Sequence, residues 1–221
     1  MRKNPASSAK LHLLPLADLR KTGPVDEADW NYRPLLSFVS RRRFRLVLDL
    51  LGPAPPGDLL EIGYGSGVFA LELARRSKRL WGIDIHPFPA EVMQTLKRHG
   101  VAARLTTGSI EKTDYPDRAF DCAVAVSALE FVADLDAACR ELCRILKPGA
   151  NLVIAAPQSS PILDALLFAA TRERAGENYE GRRERLLPAL ERYFVIERST
   201  MFPKWAPLAI YRAFRLRPRF E

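Results

Sequence analysis

The chain has 221 residues, 48% of them hydrophobic, and a formal net charge of +8 from 34 Lys/Arg against 26 Asp/Glu. That length and composition suit one sizeable folded domain, with or without an appendage, and exclude fibrous and disordered classes. No run of about 18 apolar residues occurs, and the N-terminal stretch holds charges and prolines where a secretory signal needs a continuous apolar centre, so a cytoplasmic protein is expected.

The charge is uneven. Residues 1–48 hold ten Lys/Arg against four Asp/Glu and residues 172–221 hold twelve against seven, while the middle is net acidic. Basic ends suit an anionic substrate, a membrane surface or nucleic acid, and equally a solvated surface with no partner. Cys122, Cys139 and Cys143 are too few for a disulfide framework. Cys139 and Cys143 share a helical face, but a structural zinc needs about four ligands and no other His or Cys lies near, so no metal is expected and the thiols read as buried.

In chain order, residues 1–33 are polar and irregular, with Pro5, Pro15 and Pro24 as breakers and Pro34 just after, and are expected to be partly ordered at best. Residues 35–51 repeat apolar positions at helical spacing, at Leu35, Phe38, Val39, Leu46 and Leu50, with arginines between them. "GPAPPG", 52–57, ends that helix. Short apolar runs then alternate with helical ones. "DLLEI" (58–62), "RLWGID" (79–84), "AARLTT" (102–107), "FDCAVAV" (120–126) and "NLVIAAP" (151–157) read as strands. Residues 68–78, 90–100 and 134–147 read as helices, and "PGA" as a turn before the fifth strand. Such alternation predicts right-handed βαβ units in an α/β fold with helices on both faces of a parallel sheet. The last third reads as helices over 162–175 and 181–193 followed by strands over 194–198 and 208–214.

The stretch "LLEIGYGSGVFA", 59–70, places Gly63, Gly65 and Gly67 between the first strand and its helix, where α/β folds bind nucleotides. A dinucleotide fingerprint would need its third glycine at position 68, which is Val68. Glu61, at the strand end, would repel a phosphate and attract an ammonium.

These residues resemble the class I S-adenosylmethionine-dependent methyltransferases. "LLEIGYGSG" is similar to that family's first motif and "LWGIDI" to its second, while "FD" at 120 and "LKPGA" at 146–150 are similar to its later ones; the resemblance covers residues 58–157. It implies a Rossmann-like, doubly wound, mostly parallel seven-stranded sheet with an N-terminal helical extension, divided into an arm and lid over 1–52 and a methyltransferase domain over 53–221. It also implies S-adenosylmethionine as cofactor. By position, Glu61 would face the methionine ammonium, and Gly63, Gly65 and Gly67 would let the backbone run against the sulfonium and ribose. Tyr64 and Ile85 fall inside the two motifs. Asp84 would accept both ribose hydroxyls, Ser109 and Ile110 would flank the adenine, and Ser127 and Ala128 would line the methionine end. The family often has Asp where this chain has Ser109, with Glu111 as an alternative. His86 is assigned either to the adenine edge or, more commonly for such a residue, to the surface.

No catalytic residue is assigned, since methyl transfer from a sulfonium depends mostly on proximity and exclusion of water; Glu130 and His86 are the nearby titratable groups. Residues 29–44, with Trp30, Tyr32, Phe38 and four arginines, suit an anionic or amphipathic acceptor. The segment after the fourth strand, "SALEFV", lacks the [ND]PP[YF] pattern of adenine or glutamine N-methylation. A small-molecule or lipid-linked acceptor is therefore expected, with nucleic-acid methylation and a non-catalytic cofactor-binding protein as alternatives. Peripheral membrane contact stays open, and the sequence does not set the oligomeric state.

Overall fold

Residues whose side chains are buried on both sides of a sheet read as continuous apolar runs, and the central strands of this protein follow that rule. The computed structural model describes residues 10–23, 26–34, 36–52, 54, 56–158, 182–205 and 209–219. Its strands are β1 (Asp58–Ile62), β2 (Arg79–Asp84), β3 (Ala103–Thr107), β4 (Phe120–Val126), β5 (Leu146–Pro157), β6 (Phe194–Phe202) and β7 (Tyr211–Pro218). They form one sheet in the order β3-β2-β1-β4-β5-β7-β6. β1 to β5 pair in parallel, and β7 is antiparallel to both β5 and β6. The order reverses between β1 and β4, so the crevice beyond their carboxyl ends is where an α/β sheet offers a ligand site.

The helices are α1 (Leu36–Leu51), α2 (Ala70–Ala74), α3 (Pro89–Arg98), α4 (Leu135–Ile145) and α5 (Arg182–Tyr193). One core joins α1, α2 and α3 to one sheet face through Phe44, Val47, Leu73 and Leu96 against Leu59, Val124 and Val153. Phe44 of α1 stacks on Phe69 with centroids 4.3 Å apart. The other core packs Leu142 of α4 and Leu186 and Leu190 of α5 on Leu60, Leu152, Ile154 and Phe214. Alternate residues of β5, Leu152 and Ile154 against Val153 and Ala155, divide between the two cores, as strand geometry requires. The thiols of Cys122 and Cys139 are buried and that of Cys143 half-buried. Burial pushes them up to about 12, about 12 and about 11.

The structure corrects three sequence expectations. The helix expected over 68–78 is confined to Ala70–Ala74, flanked by turns. "PGA" does not precede the fifth strand but lies within it. Gly149 there has φ +79°, and the pairing with β4 shifts register between Phe120 and Cys122, a bulge that absorbs the extra residues. Of the last two strands, β6 runs on to Phe202 beyond the expected 198, and β7 lies at Tyr211–Pro218, displaced from the expected 208–214, because pairing with each other sets their bounds. The N-terminal arm, expected to be partly ordered at best, is fastened where it is described. Leu14 is fully buried and its N–H donates to Val68 O at 3.1 Å, the Tyr32 hydroxyl donates to Leu14 O, and His12 N–H donates to Glu72 Oε2 at 2.8 Å. The helix expected over 162–175 lies outside the described residues.

Candidate active site

The carboxyl ends of β1, β2 and β4 gather most of the residues singled out from sequence. Glu61 sits on β1, an inner strand, paired to Gly82 on one side and Val124 on the other. It is 4% exposed, and its Oε2 has no hydrogen-bond partner. Burial, reinforced by the Asp84 carboxylate, raises its pKa to about 8, so the side chain is largely protonated at neutral pH. A buried acceptor with no donor is costly unless something supplies one.

Beyond Glu61 the chain doubles back through Gly63 (φ +71°), Gly65 (φ +50°) and Gly67 (φ +76°), all in the left-handed region. A Cβ on Gly63 would stand 2.5 Å from Ala128 Cβ, so this loop is pressed against the turn after β4. Tyr64 points away, into the core. Gly82 on β2 makes room for it, since a Cβ there would meet the Tyr64 ring at 2.8 Å. Only the backbone of Tyr64 can face a ligand.

Asp84 closes β2, and its Oδ2 accepts the Gly65 N–H at 2.7 Å. Ile85, next in sequence, is 78% exposed, an apolar side chain held in the open at the strand end. His86 is buried, which corrects its expected surface placement. Its Nδ1 accepts the Phe88 N–H at 3.1 Å, so Nε2 carries the proton and donates to Gly65 O at 3.0 Å. Both ring nitrogens are thus committed to bracing the loop, and neither is open for proton transfer. Glu130, the other titratable group considered, is buried in the turn Leu129–Phe131.

At the ends of β3 and β4 the picture is mixed. Ser109 Oγ donates to Glu111 Oε2 at 2.9 Å, and Glu111 Oε1 accepts the Asp134 N–H at 2.6 Å, so Glu111 is held by its neighbours. The Ile110 side chain is buried in the α4-side core, leaving its backbone to serve a ligand. Ser127 adopts φ +52°, a strained conformation for a residue with a Cβ, and its Oγ accepts from Arg43 of α1 at 3.3 Å.

Two participants were not legible at their positions. Asp26 of the arm lies over the glycine loop, its carboxyl carbon 3.7 Å from where a Gly65 Cβ would stand, and is itself held by Thr22 and by the Ala28 N–H. Arg43 reaches Ser127 from a helix whose arginines read from sequence as one undifferentiated basic set. Among the described residues no group of His, Cys, Asp and Glu could hold a metal ion.

A family model described as "Methyltransferase domain" matches residues 60–154, the span from Glu61 through β5 that builds this constellation. Residues 60–154 form a methyltransferase domain. S-adenosylmethionine is the cofactor that this methyltransferase family uses. A demethylmenaquinone methyltransferase of Tropheryma whipplei (strain Twist) is 30% identical over 142 residues, 62% of this chain and 58% of that protein. A ubiquinone biosynthesis O-methyltransferase of Methylobacterium sp. (strain 4-46) is 35% identical over 137 residues, 59% of this chain and 48% of that protein. The chain thus spans about half the length of the curated methyltransferases it matches. The N-methyltransferase NodS of Bradyrhizobium japonicum WM9, solved with S-adenosyl-L-homocysteine, shares the methyltransferase fold. It superposes with a TM-score of 0.61 at 22% identity, over 89% of this chain and 94% of that one.

Proposed function

We propose that the protein transfers a methyl group from S-adenosylmethionine to a small-molecule or lipid-linked acceptor. The observation that carries this reading is Glu61, a buried carboxyl with an orphan oxygen beside three left-handed glycines. A ligand with an ammonium group would complete it. In this reading Glu61 meets the methionine ammonium directly or through water, and Gly63, Gly65 and Gly67 keep the backbone free of Cβ atoms along the cofactor. Asp84 accepts the ribose hydroxyls, and exposed Ile85 covers one face of the adenine. Ser109 and the Ile110 backbone flank the adenine edge, and Ser127 and Ala128 line the methionine end.

When bound, the cofactor supplies an electrophilic methyl group on a sulfonium. The chain's part is to fix that methyl, hold the acceptor nucleophile about 3 Å from it and keep water out. A hydroxyl or ring-carbon acceptor gives up a proton as the methyl arrives and the demethylated cofactor leaves; that proton passes to solvent, and no described side chain is assigned as its base. We assign residues 1–52 as the arm and lid and 53–221 as the methyltransferase domain, a division supported by the contacts of Leu14, Asp26 and Arg43 with the loops of the sheet. A cytoplasmic setting is supported by three cysteines that form no disulfide. No helix among the described residues is long and apolar enough to cross a membrane.

The acceptor class is supported by the relatives, which are named for quinone intermediates. The test is calorimetric titration with S-adenosylmethionine and its demethylated product, followed by transfer of labelled methyl to demethylated quinols. Micromolar binding and label in the organic phase are expected. Absence of binding to either cofactor form overturns the reading of the cradle, and label in protein or nucleic acid alone overturns the acceptor class.

A further inference from the structure

The acceptor side of the sheet carries an aromatic and basic rim that the cofactor cradle does not use. α1 begins, and β6 ends, at the carboxyl edge of the sheet. Arg43 of α1 touches Ser127 at the end of β4, and Phe202 pairs with Tyr211, which pairs with Pro157 at the end of β5. There Phe38 of α1 is 59% exposed and Trp205, three residues beyond Phe202, is 63% exposed. The Phe38 and Phe202 rings meet edge to face with centroids 5.8 Å apart, and the Arg42 guanidinium lies 4.5 Å from one centroid and 4.9 Å from the other.

The rim is basic as well as aromatic. Arg42, like Arg41 and Arg43 of the same helix, and exposed Lys204 form no ion pair with a carboxylate among the described residues. Uncompensated cations beside exposed aromatic rings are complementary to an anionic surface with an apolar layer beneath it. At the Phe38–Phe202 pair Arg42 lies over both rings, which leaves them poorly disposed to stack on bases.

We propose that Phe38, Phe202 and Trp205, with Arg42 and Lys204, dock the protein on an anionic phospholipid surface. The rings enter the headgroup layer and the two cations meet lipid phosphates, so the carboxyl edge of the sheet, and with it the cradle, faces the bilayer. An acceptor dissolved in lipid could then reach the site without crossing water. The docking stands apart from the assignment of the acceptor.

The test uses the full chain and vesicles of phosphatidylcholine with one quarter phosphatidylglycerol, against vesicles of phosphatidylcholine alone. Sedimentation is expected to carry most of the protein with the anionic vesicles and little with the neutral ones. Tryptophan emission should shift to the blue on binding, since Trp205 is the exposed tryptophan. The double variant Phe38→Ser, Trp205→Ser should lower vesicle affinity at least tenfold, and Arg42→Gln with Lys204→Gln several-fold, each with cofactor affinity and melting temperature retained. Equal binding to neutral vesicles, no binding to anionic ones, or binding that both variants leave unchanged overturns the proposal. So does a self-associating or RNA-binding protein that ignores vesicles and loses that association in the same variants. Cofactor titration is read independently, so failure here is separable from failure of the methyltransferase reading.

Discussion

The Gly65 N–H and the Asp84 carboxylate are joined by a 2.7 Å hydrogen bond, so the residue proposed to hold the ribose also fixes the loop that approaches it. Asp84 retains further lone pairs for a ligand, since each carboxylate oxygen can accept twice. The two roles separate under substitution. Asp84→Asn keeps an oxygen for Gly65 and is expected to melt within a few degrees of the parent while weakening S-adenosylmethionine at least tenfold. Asp84→Ala should lose both cofactor affinity and roughly 1–2 kcal/mol of stability, the cost of leaving the loop N–H without its charged partner. Thermal melts with and without cofactor check both.

Glu61 makes the stability of the free protein depend on pH in the sense opposite to a salt-bridged carboxylate. Its pKa rises from an ordinary 4.5 to about 8 on folding. The folded state therefore holds a proton that the unfolded chain releases between those values, and stability falls as pH rises from about 4.5 to 8. Glu61→Gln is expected to raise the melting temperature of the free protein at pH 8.5 and to leave it little changed at pH 4.5. The same variant should lose cofactor affinity. In the parent, placing an ammonium beside Glu61 drives it to ionise, so cofactor binding at pH 7 should release a proton, and affinity should rise toward pH 8. Calorimetry in buffers of different ionisation enthalpy measures that release directly.

Gly63 and Gly100 both have positive φ, at +71° and +76°, and differ only in their surroundings. A Cβ on Gly63 meets Ala128 at 2.5 Å, whereas one on Gly100 meets nothing within 4 Å. Gly100→Ala should cost only the left-handed strain, about 1 kcal/mol. Gly63→Ala adds a clash with the turn carrying Ser127, and should cost on the order of 3 kcal/mol and abolish cofactor binding. Denaturant titration of the two variants separates strain from crowding.

Arg144 at the end of α4 gathers the connection between β3 and β4. It donates to Glu141, to Asp117 at 2.6 Å and to Tyr115 O at 2.8 Å. The guanidinium holds the Glu141 carboxyl down at about 2. That contribution is present above the ordinary glutamate value and is lost as pH falls toward 2. Arg144→Leu is expected to destabilise by roughly 1–2 kcal/mol at pH 7 and by less at pH 3, and denaturant midpoints at the two pH values test it.

The parallel strands were legible because β1, β4 and the later part of β5 are buried on both faces and so read as unbroken apolar runs. The loop glycines were legible because the loop's backbone curvature demands residues without a Cβ at those places. What escaped reading depends on partners distant in sequence. β5 continues through Pro148 and Gly149 because β4 is there to pair with it. The arm is fixed because Leu14 finds Val68 and Tyr32 finds Leu14. His86 is buried because Gly65, 21 residues earlier, offers it a carbonyl. Tyr64 sits inside the motif yet turns into the core, since the space at Gly82 lies behind the loop and not in front of it.

The fastening of the arm to the glycine loop also bears on time. To move Leu14 off Val68 the chain must give up that hydrogen bond and the one from Tyr32, and wet a leucine whose burial contributes about 2 kcal/mol. Asp26 stands over Gly65 on the same segment. Under the proposed assignment of this arm as a lid, a cofactor seated beneath Asp26 would leave only as often as those contacts open together, and weakening the Leu14 and Tyr32 contacts would quicken exchange of cofactor for product even where the equilibrium constants stayed the same.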